Sequence, residues 1–188
     1  MTAFTTEKID VEPWFDMELF MGVSQETRLG GDVMDRFMTL WKNWLPHLTV
    51  KGIDTGKIKY LLVALDESVE QDVDKAWEGS PSNAFLYNAL AQTMCMAAVH
   101  AVIPEVQDAG CAPAPKPTAT LREALEAEGI PYSNDKDPIL SRRYAVVTHY
   151  PFKGGCEICV LQSNCPKGQG QIEATSVVLP GYEHPQQM

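Results

Sequence analysis

Ile58-Lys59-Tyr60-Leu61-Leu62-Val63-Ala64-Leu65 is the stretch on which the fold turns. It is a short apolar run with β-branched and aromatic members and neither Gly nor Pro, and it reads as a buried strand. Asp66-Glu67-Ser68 follows it at once. Ser68 and Gln71 form a capping-box pattern for a helix that carries Val69, Val73, Ala76 and Trp77 on one face and is closed by Gly79.

Reading upstream, residues 52–56 are a turn-rich bridge. Before it, a helix is predicted after Gly30-Gly31 with Asp32 as N-cap. Val33, Phe37, Leu40, Trp41, Trp44 and Leu45 fall on one face of that helix, and Pro46 ends it. The stripe reads as core packing rather than a ligand pocket. Residues 1–30 are expected to be irregular. Pro13-Trp14-Phe15 and Leu19-Phe20-Met21 would anchor them on the domain, because a free tail seldom carries such residues.

Reading downstream, Ser80-Pro81 opens a long helix with proline at or near its first position. From Ala84 to Ile103 it is apolar almost all round. A bilayer span has this length, but Asn88, Gln92, Thr93 and His100 interrupt the run and Ala and Met dominate it. A buried central helix is the better reading, with Cys95 in its middle as a small hydrophobe. Residues 108–117 are rich in Gly and Pro and should be stiff and extended. Thr120 and Glu123 make a second capping box for a helix that stops at Gly129. Residues 131–138 read as loop, 143–150 as a second strand and 172–179 as a third. The order predicts an α+β fold, a helical layer packed on a small sheet. It places a single domain over residues 31–180, with a cysteine-rich metal loop at 154–168 and a tail at 181–188.

That loop is the informative motif: Gly154-Gly155-Cys156-Glu157-Ile158-Cys159-Val160-Leu161-Gln162-Ser163-Asn164-Cys165-Pro166-Lys167-Gly168. Two thiolates separated by two residues can face one metal, or two irons of one cluster. The third cysteine returns the chain to the same centre, and the flanking glycines permit close backbone approach. An odd total of five cysteines, three of them clustered, does not suit a disulfide framework. Thiols at this spacing in a reducing compartment serve metal or catalysis.

The loop resembles the Cys-x2-Cys-x5-Cys triplet that closes the [4Fe–4S] site of the endonuclease III type DNA glycosylases. It is also similar to the C-terminal triplet of the iron–sulfur nucleases of CRISPR adaptation and bacterial double-strand-break repair. The resemblance covers the loop alone and implies a cluster. No helix-hairpin-helix glycine motif or nuclease motif accompanies it, so the spacing signals a cluster rather than a family.

Closing the site takes a fourth ligand. Cys111 is the choice, on a stiff loop after a glycine. Cys95 would have to leave a buried helix, and His149 is an outside candidate, either as ligand or as a hydrogen-bond donor to cluster sulfur. An iron without a protein ligand would instead permit substrate binding. Zinc is the competing metal, although four-thiolate zinc sites more usually pair two short knuckles. A redox-active Cys156-x2-Cys159 pair would leave Cys165 unexplained.

Other residues read as structural. Asp66-Glu67 suits a helix N-terminus, Arg142-Arg143 suits pairing with acids, His47 and His100 suit packing, and His184 lies in the tail. The net charge of −10 repels nucleic acid and anionic membranes. The N-terminus carries no basic segment leading into an apolar run, so no secretory signal is expected.

The sequence therefore predicts a small cytoplasmic iron–sulfur protein. It would hold one [4Fe–4S] cluster on Cys111, Cys156, Cys159 and Cys165, for electron transfer or redox support with a protein partner or larger enzyme. A zinc-stapled interaction module and an open-site cluster enzyme stand as alternatives.

Overall fold

The computed structural model describes residues 4–134 and 138–170. Four strands form one antiparallel sheet in the order β1-β2-β3-β4: β1 (Thr5–Lys8), β2 (Leu48–Asp54), β3 (Lys59–Leu65) and β4 (Ala145–His149). Six α-helices accompany it: α1 (Met17–Ser24), α2 (Gly31–Trp44), α3 (Glu67–Gly79), α4 (Pro81–Val102), α5 (Glu105–Ala109) and α6 (Ala119–Ala127). The architecture is α+β, as the element order predicts.

The predicted strand at 58–65 is the centre of the sheet. Its side chains alternate between two cores, as the two-residue period of a strand requires. Leu61, Val63 and Leu65 face the larger core, built with α1–α4. Tyr60, Leu62 and Ala64 face the smaller one, built with α6. From Tyr60 to Leu65 the strand is buried on both faces and has no polar side, which is why that part of its sequence is continuously apolar. α4 is the spine of the larger core. Ten of its residues are buried, Cys95 among them. It is the one described helix long and apolar enough to cross a membrane by length and composition. Its packing against α1, α2, α3 and β3 makes it the core helix here.

Several local expectations shift. Residues 4–30 hold more order than their sequence suggests. β1 pairs with β2, Thr5 opposite Asp54, and Asp16 caps α1 by accepting from the Leu19 amide at 3.0 Å. Phe15 then packs edge-on against Trp41, and Phe20 packs on Phe37. The predicted bridge at 52–56 is mostly strand. β2 runs to Asp54, and the reversal is confined to the next few residues, where the Asp54 side chain accepts from the Gly56 amide. Pairing on both edges makes this glycine-containing segment a strand, and such pairing cannot be read locally.

The caps move by two residues. Gly30 rather than Asp32 caps α2, leaving Asp32 in the first turn, where its charge meets the helix dipole. Asp66 rather than Ser68 caps α3, accepting from the Ser68 amide, and Thr118 rather than Thr120 caps α6. In each case the cap is the residue at which the backbone is still extended. The first two residues of the expected extended stretch, Asp108 and Ala109, instead finish α5. The strand predicted at 172–179 lies outside the described residues.

Candidate metal centre

The cysteine loop leaves β4 and folds as two successive 3-10 turns, Cys156–Ile158 and Gln162–Asn164. The Cys159 amide donates to the Cys156 carbonyl at 3.1 Å, and the Cys165 amide donates to the Gln162 carbonyl at 3.4 Å. Cys159 and Cys165 thus occupy equivalent positions, each the extended residue that ends a turn. Two glycines make this compact path possible. Gly154 has φ +140, and a Cβ there would run into the Glu157 carboxylate, which folds back to accept from the Gly155 amide. A Cβ on Gly168 would stand 2.8 Å from the Gln162 carbonyl oxygen, so the returning chain passes against the backbone of the second turn.

Cys111 sits on the segment that links α5 to α6 and so passes from the larger core to the smaller. Three hydrogen bonds sew this segment to β4 and to the cysteine loop. The buried Thr148 hydroxyl donates to the Pro113 carbonyl at 2.9 Å. The Val160 amide donates to the Ala114 carbonyl at 3.0 Å. The Lys167 ammonium donates to the Ala109 carbonyl at 2.7 Å. Two of these bonds start within the cysteine loop and end on either side of Cys111. As a result the Cys111 thiol lies within electrostatic reach of Cys156, Cys159 and Cys165. Burial pushes the Cys111 thiol up, the Lys167 charge opposes that, and the three neighbouring thiols add to it. All four cysteines are free and half-buried.

Among the described residues, no three His, Cys, Asp or Glu side chains converge closely enough to hold a single ion. A lone zinc draws its sulfurs in to about 2.3 Å from one centre. A cluster brings its own irons and sulfides and needs a wider ring of thiols around it. Either centre would draw on the same soft sulfur donors, Cys111, Cys156, Cys159 and Cys165.

The two rival ligands lie elsewhere. Cys95 is buried in α4, where its thiol donates to the Tyr144 carbonyl at 3.5 Å and burial pushes its pKa up to about 12. His149 follows Thr148 in β4, so its side chain takes the opposite face of the sheet from the one that grips Pro113. Its ring packs on Tyr60, its Nδ1 is buried with no hydrogen-bond partner among the described residues, and burial followed by the Lys153 charge holds its pKa down. None of the four cysteines is among the charges acting on it.

Thr148, Val160 and Lys167 were not apparent from the sequence. Only Lys167, two residues after a cysteine, carried a local hint.

The remaining polar candidates are structural. His47 Nδ1 is 2.7 Å from Asp66 and 3.1 Å from the Ser68 hydroxyl. Both partners use the same ring nitrogen, so no nucleophile–base relay exists; the set belongs to the α3 cap. Arg143 grips Asp74 through both guanidinium nitrogens, and its amide donates to Glu70. A groove of about 460 Å³ runs between Ala112 and Ala114 on one side and Val146 and Val147 on the other, and a polar notch of about 80 Å³ lies at the far end of the sheet by Tyr150; neither is lined by a cysteine. Comparison of the chain with protein-family models, with curated proteins and with solved structures finds no match in any of the three.

Proposed function

We propose that this protein binds one [4Fe–4S] cluster through Cys111, Cys156, Cys159 and Cys165. It would serve as an electron carrier or as a redox subunit of a larger system in a reducing, cytoplasmic setting. The observation that carries the reading is the sewing of the Cys111 segment onto the cysteine loop at Ala109 and Ala114. A thiol distant in sequence is thereby brought beside the loop that carries the triplet, which supports Cys111 as the fourth ligand. The cluster would supply a one-electron couple. The chain's own part is to hold the thiolates, limit water around them and set the local charge. Four protein ligands leave no iron open, which favours electron transfer over substrate binding. Its partner would be a protein, and the net charge of −10 disfavours nucleic acid.

Purification without oxygen, followed by visible absorbance and assay of iron, sulfide and zinc, tests this. About four irons and four sulfides per chain are expected. Cys111→Ser should destabilise the bound cluster, while Cys95→Ala should leave it intact. A colourless protein holding about one zinc would replace this reading with the stapled module. A cluster indifferent to Cys111→Ser would replace it with an open-site centre.

A further inference from the structure

The charges around the cysteines differ from those of the rest of the chain. Residues 109–117 and 150–170 contain three lysines, Lys116, Lys153 and Lys167, and one acid, Glu157. That is a local net of +2 in a chain of net −10. The three lysines are not equivalent. Lys116 and Lys153 are exposed. Lys167 is part-buried, with its ammonium fixed on the Ala109 carbonyl at 2.7 Å. Among the described residues it is also the one cation whose field the Cys111 thiol feels. A free lysine would lose little by staying in water, so a part-buried ammonium held on a single backbone carbonyl needs a further source of stabilisation. The neighbouring cysteines, once they bind a metal centre as thiolates, would supply that source.

We propose that Lys167 is a positioning residue for the cysteine set: clamped on Ala109, it locks the Cys111 segment against the triplet and sets a fixed positive charge beside the thiolate-bound centre. The inference rests on the cluster reading above. Gaining one electron, with no proton taken up, makes a thiolate-bound centre one charge more negative. A nearby cation therefore stabilises the reduced state more than the oxidised one and raises the reduction potential. The electron would come from a reduced protein partner, and in the test it comes from dithionite.

The experiment compares wild type, Lys167→Met and Lys167→Arg, each as the full chain, in two forms. In the metal-free form, amide hydrogen exchange is followed over residues 109–117. Lys167→Met should exchange several-fold faster there and Lys167→Arg should restore protection. In the iron-loaded form, dithionite titration should give a more negative potential for Lys167→Met and a value near wild type for Lys167→Arg. A purely structural lysine would not move the potential in this charge-dependent way. Unchanged exchange and potential in Lys167→Met would overturn the proposal, and so would a shift that arginine fails to reverse. A wild-type chain that takes up no iron would sink the cluster reading, and the charge half of this proposal with it. The exchange arm would still decide the clamp by itself.

Discussion

Two buried threonines offer a controlled test of what holds the Cys111 segment in place. Thr148 is 1% exposed, and its hydroxyl donates across the structure to the Pro113 carbonyl. Thr93 is fully buried in α4, and its hydroxyl donates to Ala89, four residues back in the same helix. The Ala89 carbonyl keeps its helical amide partner if the hydroxyl is removed. The Pro113 carbonyl receives no other hydrogen bond among the described residues. Thr148→Val therefore strands a buried acceptor at a cost of about 1–3 kcal/mol, offset by about 0.8 kcal/mol for the apolar group gained. The net loss is about 0.2–2.2 kcal/mol, centred on about 1.2 kcal/mol. Thr93→Val should lose less than about 0.5 kcal/mol. With a urea slope of about 2 kcal/mol/M, the central value lowers the Thr148→Val midpoint by about 0.6 M while the Thr93→Val midpoint barely moves. Both variants are compared metal-free, so that ligand binding does not enter. Equal midpoints for the two would refute the argument that the Pro113 carbonyl is held by this bond. Faster hydrogen exchange at 109–117 in Thr148→Val alone would connect the lost bond to the Cys111 segment.

Cys95 makes stability depend on alkaline pH. Its thiol is neutral in the fold, with its pKa pushed up from 9.0 to about 12 by burial. Unfolding lets it ionise above pH 9, so its contribution is complete below that value. It is then lost at about 1.4 kcal/mol per pH unit as the pH rises toward the folded value. Urea midpoints measured at about pH 8 and about pH 10 should differ less for Cys95→Ala than for wild type. The same burial should keep Cys95 unalkylated at neutral pH in native protein, while the four half-buried cysteines of the metal-free chain react, as mass spectrometry would show. Gly168→Ala places a Cβ 2.8 Å from the Gln162 carbonyl and must displace the turn that presents Cys165. It should lower iron retention while leaving the melting temperature of the metal-free protein nearly unchanged, because the turn contributes nothing to either core. Full iron content in that variant would show that the turn is not what positions Cys165.

The sequence alone determined whatever rests on local composition and period. The apolar run that continues through Tyr60–Leu65 read as a buried strand. The pattern from Val33 to Leu45 read as a helix with one buried side, and the Ala- and Met-rich segment after Ser80-Pro81 read better as a central helix than as a membrane span. The triplet of cysteines was equally legible, because thiols at that spacing need no tertiary information to suggest a shared metal. What the sequence left open was decided by contacts between distant residues. β1 and β2 are strands because they pair, Thr6 opposite Ile53 and Lys51 opposite Leu62, although their own residues include glycine and several charges. The caps of α2, α3 and α6 fell where the backbone ceased to be extended, a property of the incoming chain rather than of a four-residue pattern. Where Cys95, Cys111 and His149 lie was likewise a tertiary matter. The first is buried in α4, and the alternation of β4 turns the last toward the face opposite Thr148. Three hydrogen bonds, donated by Thr148, Val160 and Lys167, carried Cys111 to the triplet across a separation in sequence that no local propensity can span.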